Sequence, residues 1–217
     1  MNETMNPTIK VIIVDDHPLI LSGVSSALEK GSSRVKVIGT ALSANDFFTL
    51  LKKEMPDLVL LDIIMPGISG IVVAKKLKQF YPAVKILILS SESEEEDIME
   101  LLRIGINGFV SKTVPVSNIV DAVETVADGC EYFGRDIARI IEGIERKVKQ
   151  RTNEFTAREL EIVNLCCIGL QCKEIASRLG ISLRTVETHK SNIFHKLNIN
   201  NNVELVTYAL TNHIIRI

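Results

Sequence analysis

One run constrains this chain more than any other. In Val59-Leu60-Leu61-Asp62-Ile63-Ile64-Met65-Pro66-Gly67 an unbroken apolar segment stops on a lone carboxylate, and turn residues come almost at once. Such a run reads as a strand buried on both faces of a parallel sheet. Pro66 has no ladder donor and Gly67 favours turn geometry, so Asp62 falls at the strand's carboxyl end. In open α/β sheets that end is where sites are built. Taken alone, Asp62 is equally well read as the cap of the next turn or helix. The residues brought beside it decide.

Residues 9–14, 35–39, 58–61, 85–90 and 108–111 have the Val, Ile and Leu content of short strands. Between and after them, 19–29, 44–54, 70–80, 95–104 and 115–128 carry helical spacing. Five βα units in series predict an α/β fold, a five-stranded doubly wound parallel sheet with right-handed crossovers and helices on both faces. The strand at 9–14 runs into Asp15 and Asp16, the fourth ends on Ser90, and the fifth is followed by Lys112. Three carboxylates meeting at one sheet edge repel one another unless a divalent cation neutralises them, and an all-oxygen ligand set points to Mg²⁺. A lysine and a hydroxyl beside that ion make a site for a phosphoryl group, whose charge spreads over its oxygens.

These residues resemble the receiver domain of bacterial response regulators over 8–130. The resemblance rests on the pair Asp15-Asp16, the run Asp62-x-x-Met65-Pro66-x-x-x-Gly70, Ser90 closing the fourth strand, Phe109 three before the lysine, and Lys112-Thr113. It implies a flavodoxin-like fold in which Asp62 accepts a phosphoryl group from a histidine kinase. It further implies that Asp16, Asp62 and the backbone carbonyl of Ile64 bind Mg²⁺ directly, with Asp15 acting through water. Ser90 and Lys112 would hold the phosphoryl oxygens, and Phe109 would reorient when Ser90 moves. A haloacid-dehalogenase-type phosphatase would need a second Asp two residues after the nucleophile, where this chain has Ile64, and no GxxxxGK[ST] loop is present for a nucleotide. The pattern suits a switch better than an enzyme.

Beyond residue 130 the strand signals stop. Residues 134–151 place Ile137, Ile140, Ile141, Ile144 and Val148 in an apolar helical stripe, which predicts a helical linker over 131–152 that docks on a domain or a second subunit. Thr156-x-x-Glu159 has the form of a capping box, Gly169 and Gly180 interrupt the helical pattern after it, and Ser182 opens a longer helix to Leu197. With Val186, Ile193 and Leu197 on one face and Lys190 close by, the opposite face carries Arg184, Glu187, Thr188, Ser191 and His195. Thr185, Asn192 and Lys196 lie on a flank that can reach phosphate, and Lys173 opens the preceding helix. This small all-α unit resembles the LuxR-type helix-turn-helix over 153–217, through Lys173-Glu174-Ile175-Ala176, Leu179, Ile181-Ser182, Thr185-Val186-x-x-His189 and Lys196-Leu197. Members of that family often carry an Arg near Asn202, so one phosphate contact is missing here. Receiver plus this module is the layout of the NarL/FixJ subfamily, which implies double-stranded DNA as partner, an inverted-repeat target and a homodimer formed on phosphorylation.

Composition bounds these readings. No apolar run approaches membrane-spanning length and the first ten residues lack a signal segment, so the expected location is cytoplasmic, with no membrane partner. The four cysteines show no metal-ligand spacing and are read as small packing residues. The net charge of −2 hides a gradient, from −5 over residues 1–130 to +2 over 131–152 and +1 over 153–217. An acidic front and a neutral-to-basic back fit a cation site followed by a binding module.

Overall fold

Parallel strands β1 (Ile9–Val14), β2 (Val35–Ala41), β3 (Leu58–Leu61), β4 (Lys85–Ser90), β5 (Gly108–Ser111) and β6 (Tyr132–Phe133) pair in the order β2-β1-β3-β4-β5-β6 in the computed structural model, which describes residues 7–91 and 94–215. Alternation along each strand divides the apolar side chains between two cores. Ile12, Val14, Val59, Leu61, Ile86, Ile88 and Phe109 face one core, with α2 (Ala44–Leu51), α3 (Gly70–Phe80) and α4 (Glu95–Ile104). Val11, Ile13, Leu58, Leu60, Leu87, Leu89 and Val110 face the other, with α1 (Pro18–Gly31) and α5 (Val116–Ala127). All four residues of β3 are completely buried, the signature expected of a central strand covered on both faces.

The order places β2 on one side of β1 and β3 on the other, so the chain reverses its winding between them. That reversal opens a crevice at the carboxyl ends of β1 and β3, the location of Asp15, Asp16 and Asp62. Gly67, at φ +82°, takes the left-handed turn that separates β3 from α3.

The sheet has one strand more than the five predicted. Two residues, Tyr132 and Phe133, are too few to show alternation, and their pairing is set by β5. Tyr132 N donates to Asn107 O at 3.2 Å and Gly134 N to Phe109 O at 2.9 Å. A Cβ on Gly108 would lie 2.4 Å from Tyr132 O, so glycine at that position admits the added strand. Helix α6 (Arg135–Asn153) comes next, and Ile137, Ile140 and Ile141 of its stripe pack on the core that contains Phe109. The first compact unit therefore runs to Ile141, past the expected boundary at residue 130, and a second runs from Glu142.

In the second unit, α7 (Ala157–Cys167), α8 (Cys172–Leu179), α9 (Leu183–Leu197) and α10 (Asn202–Thr211) enclose Ile162, Val163, Cys166, Ile175, Val186, Ile193, Leu205 and Ala209. The expected capping box forms: Glu159 N donates to Thr156 Oγ1 and Thr156 N to Glu159 Oε2. Gly180, at φ +64°, ends α8 and turns the chain into α9. Cys166 is a packing residue, whereas Cys130 is exposed: it lies just past the end of α5, where no core is left to receive it.

Candidate functional site

The acid pocket assembles from three strand ends. Asp15 is 1% and Asp62 2% exposed. Lys112 reaches both, with Nζ 2.6 Å from Asp15 Oδ2 and 2.8 Å from Asp62 Oδ2. Ile64 N donates to Asp62 Oδ1 at 3.3 Å. Asp62 is held against α3 by a close approach: a Cβ on Gly70 would sit 2.0 Å from the Asp62 carbonyl oxygen. Ser90, buried at the end of β4, accepts the Lys112 N–H at its own carbonyl, 2.9 Å away. Phe109 lies in β5 with its ring 1% exposed, among the residues that α4 and α6 cover. It is already inside the core, so any response to the pocket must run through repacking rather than through a ring leaving solvent.

Electrostatics follow the geometry. Burial pushes the Asp62 carboxyl above its ordinary value and the Asp15 charge adds to this, against the opposing pull of the Lys112 bond and charge and the Ile64 N–H. Burial drags the Lys112 ammonium down, but its bonds to Asp15 and Asp62 more than reverse that, leaving it above the usual lysine value. Asp15, Asp16 and Asp62 against one ammonium leave two negative charges in excess, the complement of a divalent cation. Asp16 Oδ1 is a buried oxygen that accepts no hydrogen bond, so this donor set fits such an ion. Sequence reasoning passed over His17, whose ring Nδ1 lies 2.9 Å from that oxygen. Its position directly after the acid pair was the available signal.

Of the acidic run that opens α4, Glu92 and Ser93 lie outside the described residues. Glu95, Glu96 and Asp97 form the first helical turn.

In the second unit, α9 turns Val186 and Ile193 into the core and leaves Arg184, Glu187, Thr188, Ser191, Asn192 and His195 exposed. The side chains of Arg184, Glu187, Ser191, Asn192 and His195 make no hydrogen bond or ion pair with described residues, as an unoccupied contact face requires. Lys173, in the first turn of α8, is likewise exposed. Thr188 and Thr185 are satisfied locally, Thr188 Oγ1 by Arg184 O at 2.9 Å and Thr185 Oγ1 by Ser182 Oγ at 2.8 Å. Lys196, expected to reach phosphate, and Lys190, expected among the DNA contacts, are both turned into the domain. Lys190 Nζ lies 3.6 Å from Cys172 Sγ and over the Phe194 ring, and Lys196 Nζ donates to Glu159 Oε2 and to Glu154 O, each at 2.8 Å. Helical periodicity locates a side chain on a face; it does not show that a long one bends back to a buried carboxylate.

Residues 11–124 match the model of the response regulator receiver domain, and residues 153–209 that of the bacterial regulatory proteins of the luxR family. The chain belongs to the response regulators. Among curated relatives, the transcriptional regulatory protein MctR of Rhizobium johnstonii is 35% identical over 98% of each chain. The solved structure of the response regulator RcsB from Salmonella typhimurium aligns with a TM-score of 0.62 at 25% identity, covering 95% of this chain and 100% of that one. A structure of two RcsB dimers bound to two parallel DNAs aligns with a TM-score of 0.59 at 26% identity, over 94% of this chain and 98% of that one. This response regulator is accordingly a DNA-binding transcription regulator rather than an enzyme, with a flavodoxin-like receiver and a helix-turn-helix output domain. Receiver domains generally bind Mg²⁺ through acidic residues, and Asp15, Asp16 and Asp62 form an acidic cluster in this one. Among the described residues, no helix is long and apolar enough to cross a membrane.

Proposed function

We propose that this response regulator is switched by phosphorylation of Asp62 and that the switch sets how much dimer is available to bind DNA. The observation that carries the first half is the Asp62 carboxylate itself, buried at a sheet edge, anchored by Lys112 at 2.8 Å and flanked by Asp15 and Asp16. An Asp62 oxygen attacks phosphorus of a phosphohistidine on the kinase; the new O–P bond forms as the P–N bond breaks, and the imidazole leaves with its electron pair. Asp16, Asp62 and the Ile64 carbonyl would hold Mg²⁺, with Asp15 binding through water; the ion supplies charge neutralisation at the transferring oxygens. Lys112 and Ser90 hold those oxygens on the product. The protein offers no Asp two residues after Asp62 to act as general base, which favours slow turnover of the acyl phosphate.

The output half rests on the exposed face of α9. Arg184, Glu187, Thr188, Ser191 and His195 face the major groove, while Lys173 and Asn192 approach phosphate, with Thr185, Lys190 and Lys196 at the margin. One module with a net charge of +1 makes few phosphate contacts, so two copies related by a two-fold axis on an inverted repeat give the binding that one lacks. The cytoplasm is the compartment in which this chain meets both kinase and DNA.

The test pairs labelling with DNA binding. A small phosphodonor with Mg²⁺ adds one phosphoryl group to the parent and none to Asp62→Asn, and only the labelled parent shifts to dimer and retains DNA. Equal labelling of both proteins would remove Asp62 from its role, and monomeric binding unaffected by phosphorylation would remove the switch.

A further inference from the structure

Glu187 is the only acidic residue of α9, and it lies on the face that the helix turns outward, with Arg184 one turn before it and Ser191 one turn after. An acid near the start of a helix is ordinarily explained by the N-terminal dipole. Here that terminus is already served. Ser182 Oγ accepts Thr185 N at 3.1 Å, and Thr185 N and Val186 N both reach Ser182 O, at 3.0 and 3.2 Å. Glu187 follows this turn, and its side chain makes no hydrogen bond or ion pair with described residues.

Nor is its charge answered along the helix. Lys190, three residues on, stands at the spacing of an ion-pair partner, but its ammonium lies 3.6 Å from Cys172 Sγ and over the Phe194 ring. Ser191, four residues on, is neutral, and Arg184, three back, makes no ion pair with described residues. Glu187 therefore presents a bare carboxylate to whatever α9 meets.

A bare carboxylate on a face that enters a groove between two rows of phosphates works against every DNA sequence. The penalty is offset only where a base edge offers a hydrogen-bond donor. In the major groove two bases do so, cytosine through N4 and adenine through N6. Adenine sets the acceptor N7 beside its amino group and so repels a carboxylate, whereas cytosine presents N4 with no acceptor of its own at that edge.

We propose that Glu187 fixes a cytosine in each half-site of the target, and that it acts by exclusion, weakening binding to duplexes without a cytosine at that position more than it strengthens binding to those with one. This rests on the reading of α9 as the groove-facing helix. Specificity is a difference of affinities, and an uncompensated charge set against the wrong sequence supplies it in a module whose net charge is only +1.

The experiment is selection of bound duplexes from a randomised pool by the full chain, with a small phosphodonor and Mg²⁺ present, for the parent, Glu187→Gln and Glu187→Ala. The parent should enrich a C·G pair at one fixed position per half-site, and replacing that pair by T·A in a selected duplex should weaken binding ~10-fold or more. Glu187→Gln, whose amide pairs with adenine N6 and N7, should move the preference at that position to A·T. Glu187→Ala should leave the position degenerate and its neighbours unchanged, and should tighten binding to an unrelated duplex by about threefold or more at the same salt. Thermal unfolding of both variants should match the parent, since the side chain holds nothing in place; a clear fall would give Glu187 a structural role and overturn the proposal. Cytosine retained by Glu187→Gln, or unchanged binding of Glu187→Ala to the unrelated duplex, would overturn it as well. If the parent enriches no sequence, the reading of α9 as a groove-facing helix fails and this proposal with it; if the parent enriches a motif that Glu187→Ala leaves untouched at every position, only the present proposal fails.

Discussion

Gly70→Ala is the most discriminating perturbation of the phosphoacceptor. The added Cβ would lie 2.0 Å from the Asp62 carbonyl oxygen and 2.7 Å from Ile63 Cα, both backbone atoms with no rotamer to yield. A carbon and a carbonyl oxygen rest at ~3.3 Å or more, so the segment carrying Asp62 and the start of α3 must separate by about 1.3 Å. The Gly70 N–H to Ile63 O bond of 3.0 Å is lost or stretched in the process. Overpacking of this kind costs about 1–3 kcal/mol, offset by less than ~1 kcal/mol from replacing glycine in a helix. The functional loss is larger, because a displacement of about 1 Å of a reacting group costs on the order of 100-fold in rate. The control is Gly23→Ala in α1, where a Cβ meets nothing within 4 Å. It should stabilise by roughly 0.5–1 kcal/mol and leave labelling unchanged. The assay is the initial rate of labelling by a small phosphodonor with Mg²⁺, with urea unfolding of the same proteins. Parent-like labelling and stability in Gly70→Ala would refute the claim that this approach positions Asp62.

Other expected outcomes concern the output domain and the coupling. Lys173→Ala should weaken binding to all DNA sequences alike and flatten the salt slope by about one unit, whereas Lys196→Ala should leave the slope unchanged and lower stability by ~1–2 kcal/mol, discounted for its partial exposure, by stranding Glu159; the reverse pattern would put Lys196 on phosphate. Burial raises the Glu159 carboxyl, but the Lys196 and Thr156 bonds outweigh it and hold the group below its ordinary value of 4.5. Its stabilising contribution is therefore complete above that value and lost as pH falls through the depressed one, so Glu159→Gln should flatten the acid limb of a stability-versus-pH profile, and an unchanged limb would deny the pairing. Phosphorylation should change hydrogen exchange over α4 and β5, which enclose Phe109, more than over α2; equal changes would reject the proposed route from Ser90 to Phe109.

How the pocket could be read in advance is a matter of strand ends. A run such as 58–61, apolar throughout, can only be central, and whatever residue ends it is delivered to the sheet's edge; four strand ends located Asp15, Asp16, Asp62, Ser90 and Lys112 without coordinates. The exposed face of α9 was legible for the same reason, since a 3.6-residue repeat separates Val186 and Ile193 from Thr188 and Ser191 whatever the partner.

Sequence periodicity alone determined the βα alternation, the helical output unit, the capping box at Thr156 and the residue types gathered in the acid pocket. It operates over one or two turns or strands, because local backbone geometry sets which side chains share a face. Tertiary structure decided what depends on a partner far along the chain: the addition of β6 to β5 through the space at Gly108, the docking of Ile137, Ile140 and Ile141 on the Phe109 core, and the turn of Lys196 onto Glu159. It also decided that the His17 ring folds back over Asp15 and Asp16, because a ring orientation depends on what surrounds it and sequence spacing carries no record of that.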